Sequence, residues 1–176
     1  MELQQQAILL RQLGPQDAAW LRSIAIKAYS EHYAETWYDG GAWYIRNFFS
    51  LARLQNELED SNALFFGIQY KHEAMGFLKL NLDAPLTAES NALELERIYL
   101  VKNAAGKGIG TYVMHNVFEL ARKANKKLVW LKVMDTSPDA VRFYIKMGFE
   151  ICGTHQVDFV QKKEGMRGMY VMQKRL

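Results

Sequence analysis

Residues 98–111 read IYLVKNAAGKGIGT, an apolar run followed by a loop with glycine at every second position. Apolar residues at helical spacing come next, so the order is strand, glycine loop, helix. Glycine lets the backbone fold back sharply, so that successive N–H groups point at one spot. With the positive end of the helix dipole and the Lys107 ammonium beside it, this spot favours a phosphate or pyrophosphate. Considered alone, the glycines fit a tight turn without a ligand equally well.

The spacing of the glycines argues against two other nucleotide sites. Gly106-x-Gly108-x-Gly110 does not have the spacing of a dinucleotide-binding fingerprint. It also lacks the Gly-Lys-Ser/Thr that follows a four-residue gap in the phosphate loop of nucleoside triphosphatases. Both of these sites are therefore disfavoured.

Strand and helix patterns alternate along the chain and predict an α/β fold. Runs typical of strands occupy residues 7–10, 64–68, 75–80, 93–101, 128–133, 149–159 and 169–173. Helical patterns occupy residues 18–28, 45–58 and 113–124, and a further helix starts at Ser137-Pro138-Asp139 and stops at Gly148.

The segment 32–44 has an unusual density of aromatic residues around Asp39-Gly40-Gly41. The glycine pair predicts a loop or a broken helix there. Two interpretations stay open at this point: the segment folds over the core, or it forms a wall of a substrate pocket.

The composition predicts one globular domain over residues 1–176. Hydrophobic residues make up 49% of the chain and charged residues 23%, close to the average of globular proteins. The net charge of +3 is too small to indicate a nucleic-acid partner. Cys152 is the only cysteine, which excludes an internal disulfide. The N-terminus lacks a signal-peptide pattern and no apolar stretch reaches the ~20 residues that span a bilayer, so we expect a cytoplasmic protein without a membrane partner.

Residues 95–149 resemble the GCN5-related N-acetyltransferase (GNAT) superfamily. The family fingerprint is Gln or Arg, two residues, Gly, one residue, and Gly or Ala, and it falls on residues 105–110 here. A second block, from Asp135 through Phe143-Tyr144 to Gly148-Phe149, resembles the family's next helix and the Gly-Phe after it. Two departures are visible: Ala105 replaces the Gln or Arg, and Ser137 stands where many relatives carry asparagine.

The resemblance implies a single-domain GNAT fold, with a mixed, twisted sheet of six to seven strands flanked by about four helices. It implies that acetyl-CoA lies in a cleft between the splayed fourth and fifth strands, with its pyrophosphate on main-chain N–H groups of the glycine loop. The residues that the resemblance assigns to this ligand are Ile98, Tyr99, Leu100, Ala105, Gly106, Lys107, Gly108, Ile109, Gly110, Thr111, Ser137 and Tyr144.

Acetyl transfer to an amine requires a base for the amine proton and an acid for the departing thiolate. Glu94 and Glu96 are two residues apart, so they share one face of a strand unless a bulge intervenes. We predict that Glu96 is the base, acting through water, with Glu94 as the second candidate; the alternative is a solvated pair on an exposed face. The resemblance assigns the acid to Tyr144, which is protonated at neutral pH, and the alternative there is core packing.

The predicted acceptor is a primary amine. Residues 93–99 and 153–155 resemble the spermidine/spermine N-acetyltransferase branch, which implies a polyamine. That branch often has several acidic residues in its last hairpin, whereas this chain has Lys162, Lys163 and Arg167 against Asp158 and Glu164. A protein N-terminus, another small amine and a non-catalytic acetyl-CoA-binding regulatory module stay open as alternatives.

Three carboxylates suggest a cation site at the mouth of the cleft: Glu31, Asp39 and Glu94, if the aromatic segment folds over it. The four histidines have no metal-ligand spacing, so we expect no metal site. Cys152 has no flanking basic group and is expected to be a packing residue. A homodimer is left open.

Overall fold

Seven strands form one sheet in the computed structural model, which describes residues 7–88 and 90–176. The N-terminal residues 1–6, on which the expectation about a signal peptide rested, lie outside the described residues. The strands are Ile8–Gln12 (β1), Ala63–Tyr70 (β2), Glu73–Asn81 (β3), Ala92–Leu100 (β4), Leu128–Met134 (β5), Glu150–Gln156 (β6) and Gly168–Arg175 (β7).

The sheet is mixed, as predicted. Its order is β1-β2-β3-β4-β5-β7-β6, and each neighbouring pair is antiparallel except β4 and β5, which are parallel. The pattern that predicted a strand over residues 149–159 extends past the end of β6 at Gln156.

Five α-helices flank the sheet within the described residues, one more than expected. The predicted helix over residues 45–58 is divided into two, because Ser50 begins a new helix: its hydroxyl accepts a hydrogen bond of 3.3 Å from the N–H of Arg53. The helices are Ala18–Tyr33 (α1), Ala42–Phe48 (α2), Leu51–Glu59 (α3), Ile109–Lys123 (α4) and Pro138–Lys146 (α5).

The two faces of the sheet pack against different helices. On β3, the Phe77 ring meets Phe49 and the Lys79 ammonium meets Glu57, which place these side chains toward the α1–α3 side. Leu78 and Leu80 point to the other side, where they line a cavity together with Val117 of α4. Alternation along β3 therefore builds two apolar layers, and the charged Lys79 lies inside one of them.

β4 and β5 separate toward their carboxyl ends. The last paired residues are Leu95 and Leu131, although β4 continues to Leu100 and β5 to Met134. This gap confirms the expected splay, and it opens a cleft next to the glycine loop.

A register shift interrupts the pairing of β3 with β4. Lys79 pairs with Arg97 and Leu80 with Leu95, so β4 contains one extra residue, Glu96.

Within residues 7–88 and 90–176, no helix has the length and apolar character needed to cross a membrane.

Candidate active site

Two cavities meet where β4 and β5 separate. The first, of about 800 Å³, is lined mainly by residues from 98–111 and 136–144, and we call it the loop cavity. The second, of about 330 Å³, lies beside β4 among Tyr29, Trp37, Tyr44, Phe48 and Phe159, and we call it the aromatic cavity. Six residues line both cavities and mark their junction: Tyr33, Ile98, Tyr99, Ser137, Ala140 and Tyr144.

The glycine loop has the sharply folded backbone that its sequence predicts. Gly106 and Gly108 have φ angles of +73° and +71°, in the left-handed region that residues with a side chain rarely adopt. Gly108 directly precedes α4, whose first N–H groups have no partner inside the helix. At Gly110 a Cβ atom would lie 3.3 Å from the ring of Phe143, so this glycine lets α4 approach α5 closely. The loop cavity is thus lined by main-chain donors at the positive end of a helix dipole.

Every residue that the resemblance assigns to acetyl-CoA lines the loop cavity except Lys107. The Lys107 ammonium donates to Oδ1 of Asn103 at 3.1 Å and also to the Asn103 carbonyl. The side chain is therefore held by its own loop. The structure supplies the expected main-chain donors but does not bring the Lys107 charge into the cavity.

The start and the middle of α5 stand at the junction of the cavities. Ser137 is the N-cap residue, and its side chain makes no capping hydrogen bond, so its hydroxyl is free to face a ligand. Tyr144 is 9% exposed and lines both cavities. Burial, and to a smaller extent the nearby Tyr33, raise the pKa of Tyr144 above its ordinary value. Its hydroxyl therefore carries a proton at neutral pH.

Five charged side chains form a network beside the aromatic cavity, and two of them, Glu96 and Arg97, line it. Lys79 Nζ lies 2.9 Å from Glu57 Oε2 and 2.7 Å from Glu96 Oε2. Arg97 Nη1 lies 2.9 Å from Glu57 Oε2, and Arg97 Nη2 lies 3.2 Å from Glu96 Oε1. Adjacent residues 96 and 97 reach the same network because the register shift turns both to one face. Arg53 Nε lies 2.7 Å from Glu57 Oε1, so the network joins two carboxylates to three cations.

The network also determines the proton affinity of its carboxylates. Burial alone would raise the pKa of Glu57, but Arg97, Arg53 and Lys79 lower it to about 2. Burial likewise opposes the effect of Arg97 and Lys79 on Glu96, whose pKa is lowered overall. Both carboxylates are therefore ionised at neutral pH, and both oxygens of Glu96 are already paired.

Glu94 has a different environment from Glu96. Nδ2 of Asn81 donates to Glu94 Oε2 at 2.9 Å and to Glu96 Oε2 at 2.8 Å, so the two carboxylates share a face, as predicted. Both line the aromatic cavity, which argues against a solvated pair on an open surface. Glu94 forms no ion pair within residues 7–88 and 90–176.

The aromatic segment 32–44 supports both interpretations offered above. Trp37 is buried in the core, where its Nε1 donates to the hydroxyl of Tyr29 at 2.8 Å. Tyr29 stacks on Tyr44 with ring centroids 4.4 Å apart, and these three side chains line the aromatic cavity. The segment folds over the core and is at the same time a wall of the cavity.

One wall of the aromatic cavity carries a lysine that the sequence did not single out as a site residue. Lys162 is 7% exposed, and its ammonium lies 5.0 Å from the centroid of the Trp37 ring and 3.8 Å from the sulfur of Met134. Burial lowers the pKa of Lys162 to about 8.

The expected cation site is not formed by Glu31 and Asp39. Glu31 Oε2 accepts the N–H of Lys102 at 2.6 Å and so ties α1 to the segment before the glycine loop. Asp39 accepts the N–H groups of Gly41 and Trp43 at 3.0 and 2.7 Å at the start of α2. Main-chain N–H groups thus occupy both carboxylates, and neither carboxylate lines either cavity. This expectation was wrong because Asp39 caps its own turn, and Glu31 reaches a backbone donor that is distant in sequence but close in space.

A comparison with protein families agrees with this geometry. The profile described as the acetyltransferase (GNAT) family matches residues 22–149. The chain belongs to the acetyltransferase (GNAT) family. The match includes the glycine loop, both glutamates of β4 and Tyr144, and it confirms the resemblance proposed from the two sequence blocks.

Relatives of this N-acetyltransferase support the same fold. An uncharacterised N-acetyltransferase from the pepI 3′ region of Lactobacillus delbrueckii subsp. lactis is 31% identical over 121 residues, covering 63% of this chain and 70% of the relative. The PaiA N-acetyltransferase of Thermoplasma acidophilum, solved with coenzyme A, is 24% identical with a TM-score of 0.76, covering 96% of this chain and 99% of that one. A mutant spermidine/spermine N-acetyltransferase of Vibrio cholerae has 17% identity and a TM-score of 0.67, covering 96% and 94%. The spermidine/spermine branch is thus one of several neighbours with the GNAT fold.

Sequence reasoning missed the charged network and Lys162 of this acetyltransferase. Lys79 carried a usable signal, because it is a charge inside the otherwise apolar run 75–80 and such a charge is buried only with partners. Arg97 was harder to recognise, because it follows Glu94 and Glu96 in a half-polar strand. Lys162 carried a weaker signal, because the sequence of residues 161–167 does not distinguish it from the other basic residues there.

Proposed function

We propose that this chain, as one domain over residues 1–176, transfers the acetyl group of acetyl-CoA to a primary amine. The observation that carries the proposal is the junction of the two cavities at Tyr144. A loop cavity suited to a pyrophosphate opens there into a second cavity that is lined by carboxylates and aromatic rings. Two substrates entering from opposite sides would meet at that point.

The loop cavity fits coenzyme A through its main chain. Left-handed glycines and the free N–H groups at the start of α4 suit the pyrophosphate. The end of β4, Ile98–Leu100, pairs with β3 but not with β5, so its free edge presents backbone groups to the pantetheine arm and to the acetyl carbonyl. The coenzyme A complex of the Thermoplasma relative supports the same ligand. Ser137 contributes a hydroxyl where many relatives carry asparagine.

The reaction forms a C–N bond and breaks a C–S bond. The neutral amine attacks the acetyl carbonyl, whose oxygen is stabilised by a β4 main-chain N–H. The C–S bond then breaks, and the thiolate takes the proton of Tyr144 Oη. The amine proton leaves through water to a carboxylate of β4. Each role uses a group that lines the junction or the aromatic cavity.

The ion pairs divide the tasks of the two glutamates. Glu96, the base that the sequence favoured, has both oxygens engaged by cations and Asn81, which weakens it as a proton acceptor. Glu94 has Asn81 as its hydrogen-bond partner. We therefore assign to Glu94 the role of the base that takes the amine proton through water. Glu96 instead holds Lys79 and Arg97 in place.

The test is acetyl-CoA turnover with and without amine. We expect release of the coenzyme A thiol that depends on an added primary amine, together with the acetylated amine in the mass spectrum. Spermidine, a peptide with a free N-terminus and small monoamines would be compared. If acetyl-CoA binds but no amine in the panel raises thiol release, the chain is a regulatory module that senses acetyl-CoA, and the transferase proposal fails.

A further inference from the structure

Lys162 is held in the wall of the aromatic cavity by backbone hydrogen bonds. It lies in the loop between β6 and β7, and its backbone forms an isolated antiparallel bridge with Trp37. Next to the bridge, the N–H of Tyr38 donates to the Gln161 carbonyl and the N–H of Lys163 donates to the Thr36 carbonyl, both at 3.0 Å. The loop is thus fastened to the aromatic segment on both sides of Lys162. The inward position of this lysine follows from the backbone.

Among the described residues, the charge of Lys162 meets no counter-ion. The ammonium forms no ion pair within the part of the chain that the structure describes. Its hydrogen-bond acceptor is the Met134 thioether, which is weak, and the Trp37 ring offers a cation–π contact. The two carboxylates of the cavity bind other groups. Glu96 forms ion pairs with Lys79 and Arg97, whereas Glu94 accepts a hydrogen bond from Asn81.

Lys79 is an example in this protein of a buried lysine that has carboxylate partners. It is about as buried as Lys162, at 8% exposure, but two carboxylate oxygens lie 2.9 and 2.7 Å from its nitrogen. A buried cation without such partners is costly. Lys162 lines a cavity of about 330 Å³, so a ligand in that cavity can supply the missing anion.

We propose that Lys162 is a specificity-determining residue that binds a carboxylate of the acceptor. The acceptor class is then a primary amine that carries a carboxylate on the far side of an apolar body, and this rests on the proposed acetyl transfer. One cation matches the single negative charge of a carboxylate, whereas a phosphate monoester carries about −1.5 to −2 at pH 7. The apolar body would lie against Tyr29, Trp37, Tyr44 and Phe159.

The same contacts disfavour a polyamine at this end of the cavity. The face of Trp37 that would attract a second ammonium group is already next to Lys162. A polycation would place like charges side by side in a buried space, where repulsion is little screened.

The experiment uses three acceptors that differ at one end: an aminomethylbenzoate, the matching aminomethylbenzamide and the matching xylylenediamine. We expect the carboxylate to have the highest kcat/KM. Loss of a buried hydrogen bond to a charged group corresponds to about 10- to 100-fold, so Lys162→Met should lower kcat/KM for the carboxylate by that factor, mainly through KM. The amide and the diamine should change less than about threefold.

Two further variants make the result specific. Lys162→Gln keeps a donor without the charge and should fall between the wild type and Lys162→Met. Lys163→Met removes the same charge from the neighbouring position, which does not line the cavity, and should leave all three acceptors unchanged. Circular dichroism and melting curves confirm that each variant is folded.

Binding without turnover separates this inference from the proposed function. Calorimetry and Trp fluorescence would follow the three compounds in the absence of acetyl-CoA. Binding of the carboxylate that is lost in Lys162→Met supports the inference even if no acetylated product forms, and only the transferase proposal then fails. Amine-dependent turnover with equal binding and equal kcat/KM for the three compounds overturns the inference and leaves the transferase proposal standing.

Discussion

The loop cavity and the aromatic cavity are built in different ways. The loop cavity takes its polar groups from the main chain of one continuous segment, residues 98–111, and from the start of α5. The aromatic cavity is lined by side chains from α1, α2, β4, β5 and the loop before β7. The first cavity depends on backbone angles at two glycines, and the second on which side chains distant segments bring together.

This difference predicts opposite sensitivities to substitution. In the loop cavity, side chains other than glycine can change while the main-chain donors stay, which is why Ala105 and Ser137 are compatible with the proposed ligand. In the aromatic cavity, one exchanged side chain alters the charge or shape that an acceptor meets. Tyr144 belongs to both cavities, so it should be the most sensitive position of all.

Tyr144→Phe should give the largest effect. Removing the hydroxyl takes away the proton donor of the thiolate, and general acid catalysis typically contributes about 10²- to 10⁴-fold, so we expect kcat to fall by that amount. The Kd of acetyl-CoA should change little, because the main chain holds the ligand. Tyr170→Phe, outside both cavities, is the control in steady-state kinetics and calorimetry. A variant with normal kcat would return Tyr144 to a packing role.

Replacing each glutamate in turn by glutamine should separate catalysis from the charged network. We expect Glu94→Gln to lower kcat by about 10²-fold, as for loss of a general base, with little change in the free energy of unfolding. Glu96→Gln should lower kcat less but destabilise the protein by about 1–3 kcal/mol, because Lys79 and Arg97 lose a partner. Urea titration measures the free energy of unfolding, and pH–rate profiles measure kcat. The reverse pattern would make Glu96 the base after all.

Gly108→Ala tests whether the loop cavity depends on the backbone. A Cβ atom at the φ angle of +71° costs about 1–2 kcal/mol, so acetyl-CoA binding should weaken by roughly 5- to 30-fold as the loop relaxes. Space is not the cause, because nothing lies within 4 Å of the added atom. Gly165→Ala has the same open space without a left-handed φ, and its Kd by calorimetry should stay at the wild-type value.

The smallest effect should be a pH-dependent gain in stability in Lys162→Met. Burial lowers the pKa of Lys162 from 10.5 to about 8, so between these values the unfolded chain holds a proton that the folded chain has lost. Wild-type stability therefore rises with pH across that window. Lys162→Met should melt a few degrees higher than wild type near neutral pH, and the gap should close toward pH 10.5. If the difference in melting temperature between the two proteins did not change with pH, the lysine charge would not be its cause.

The parts of the site that come from local sequence were predictable. The alternating glycines determine the backbone before α4, and the Ser-Pro-Asp sequence determines where α5 begins, so the loop cavity and Tyr144 followed from short segments. Pairing between distant segments was not predictable from local pattern. The bridge of Trp37 to Lys162 joins positions far apart in the chain, and the division of the helix at Ser50 depends on one capping hydroxyl inside a continuous helical pattern.

The extra residue in β4 also bears on how the length of this strand can change. If Glu96 were deleted, Arg97 would still lie opposite Lys79 and Leu95 opposite Leu80, so the ladder would become regular instead of slipping. The pairing of the strands thus has no need of this position, and the extra residue supplies the carboxylate that holds Lys79 and Arg97. A shortened chain of 175 residues, in which Lys79 keeps Glu57 but loses Glu96, would separate the pairing of this strand from its charged network.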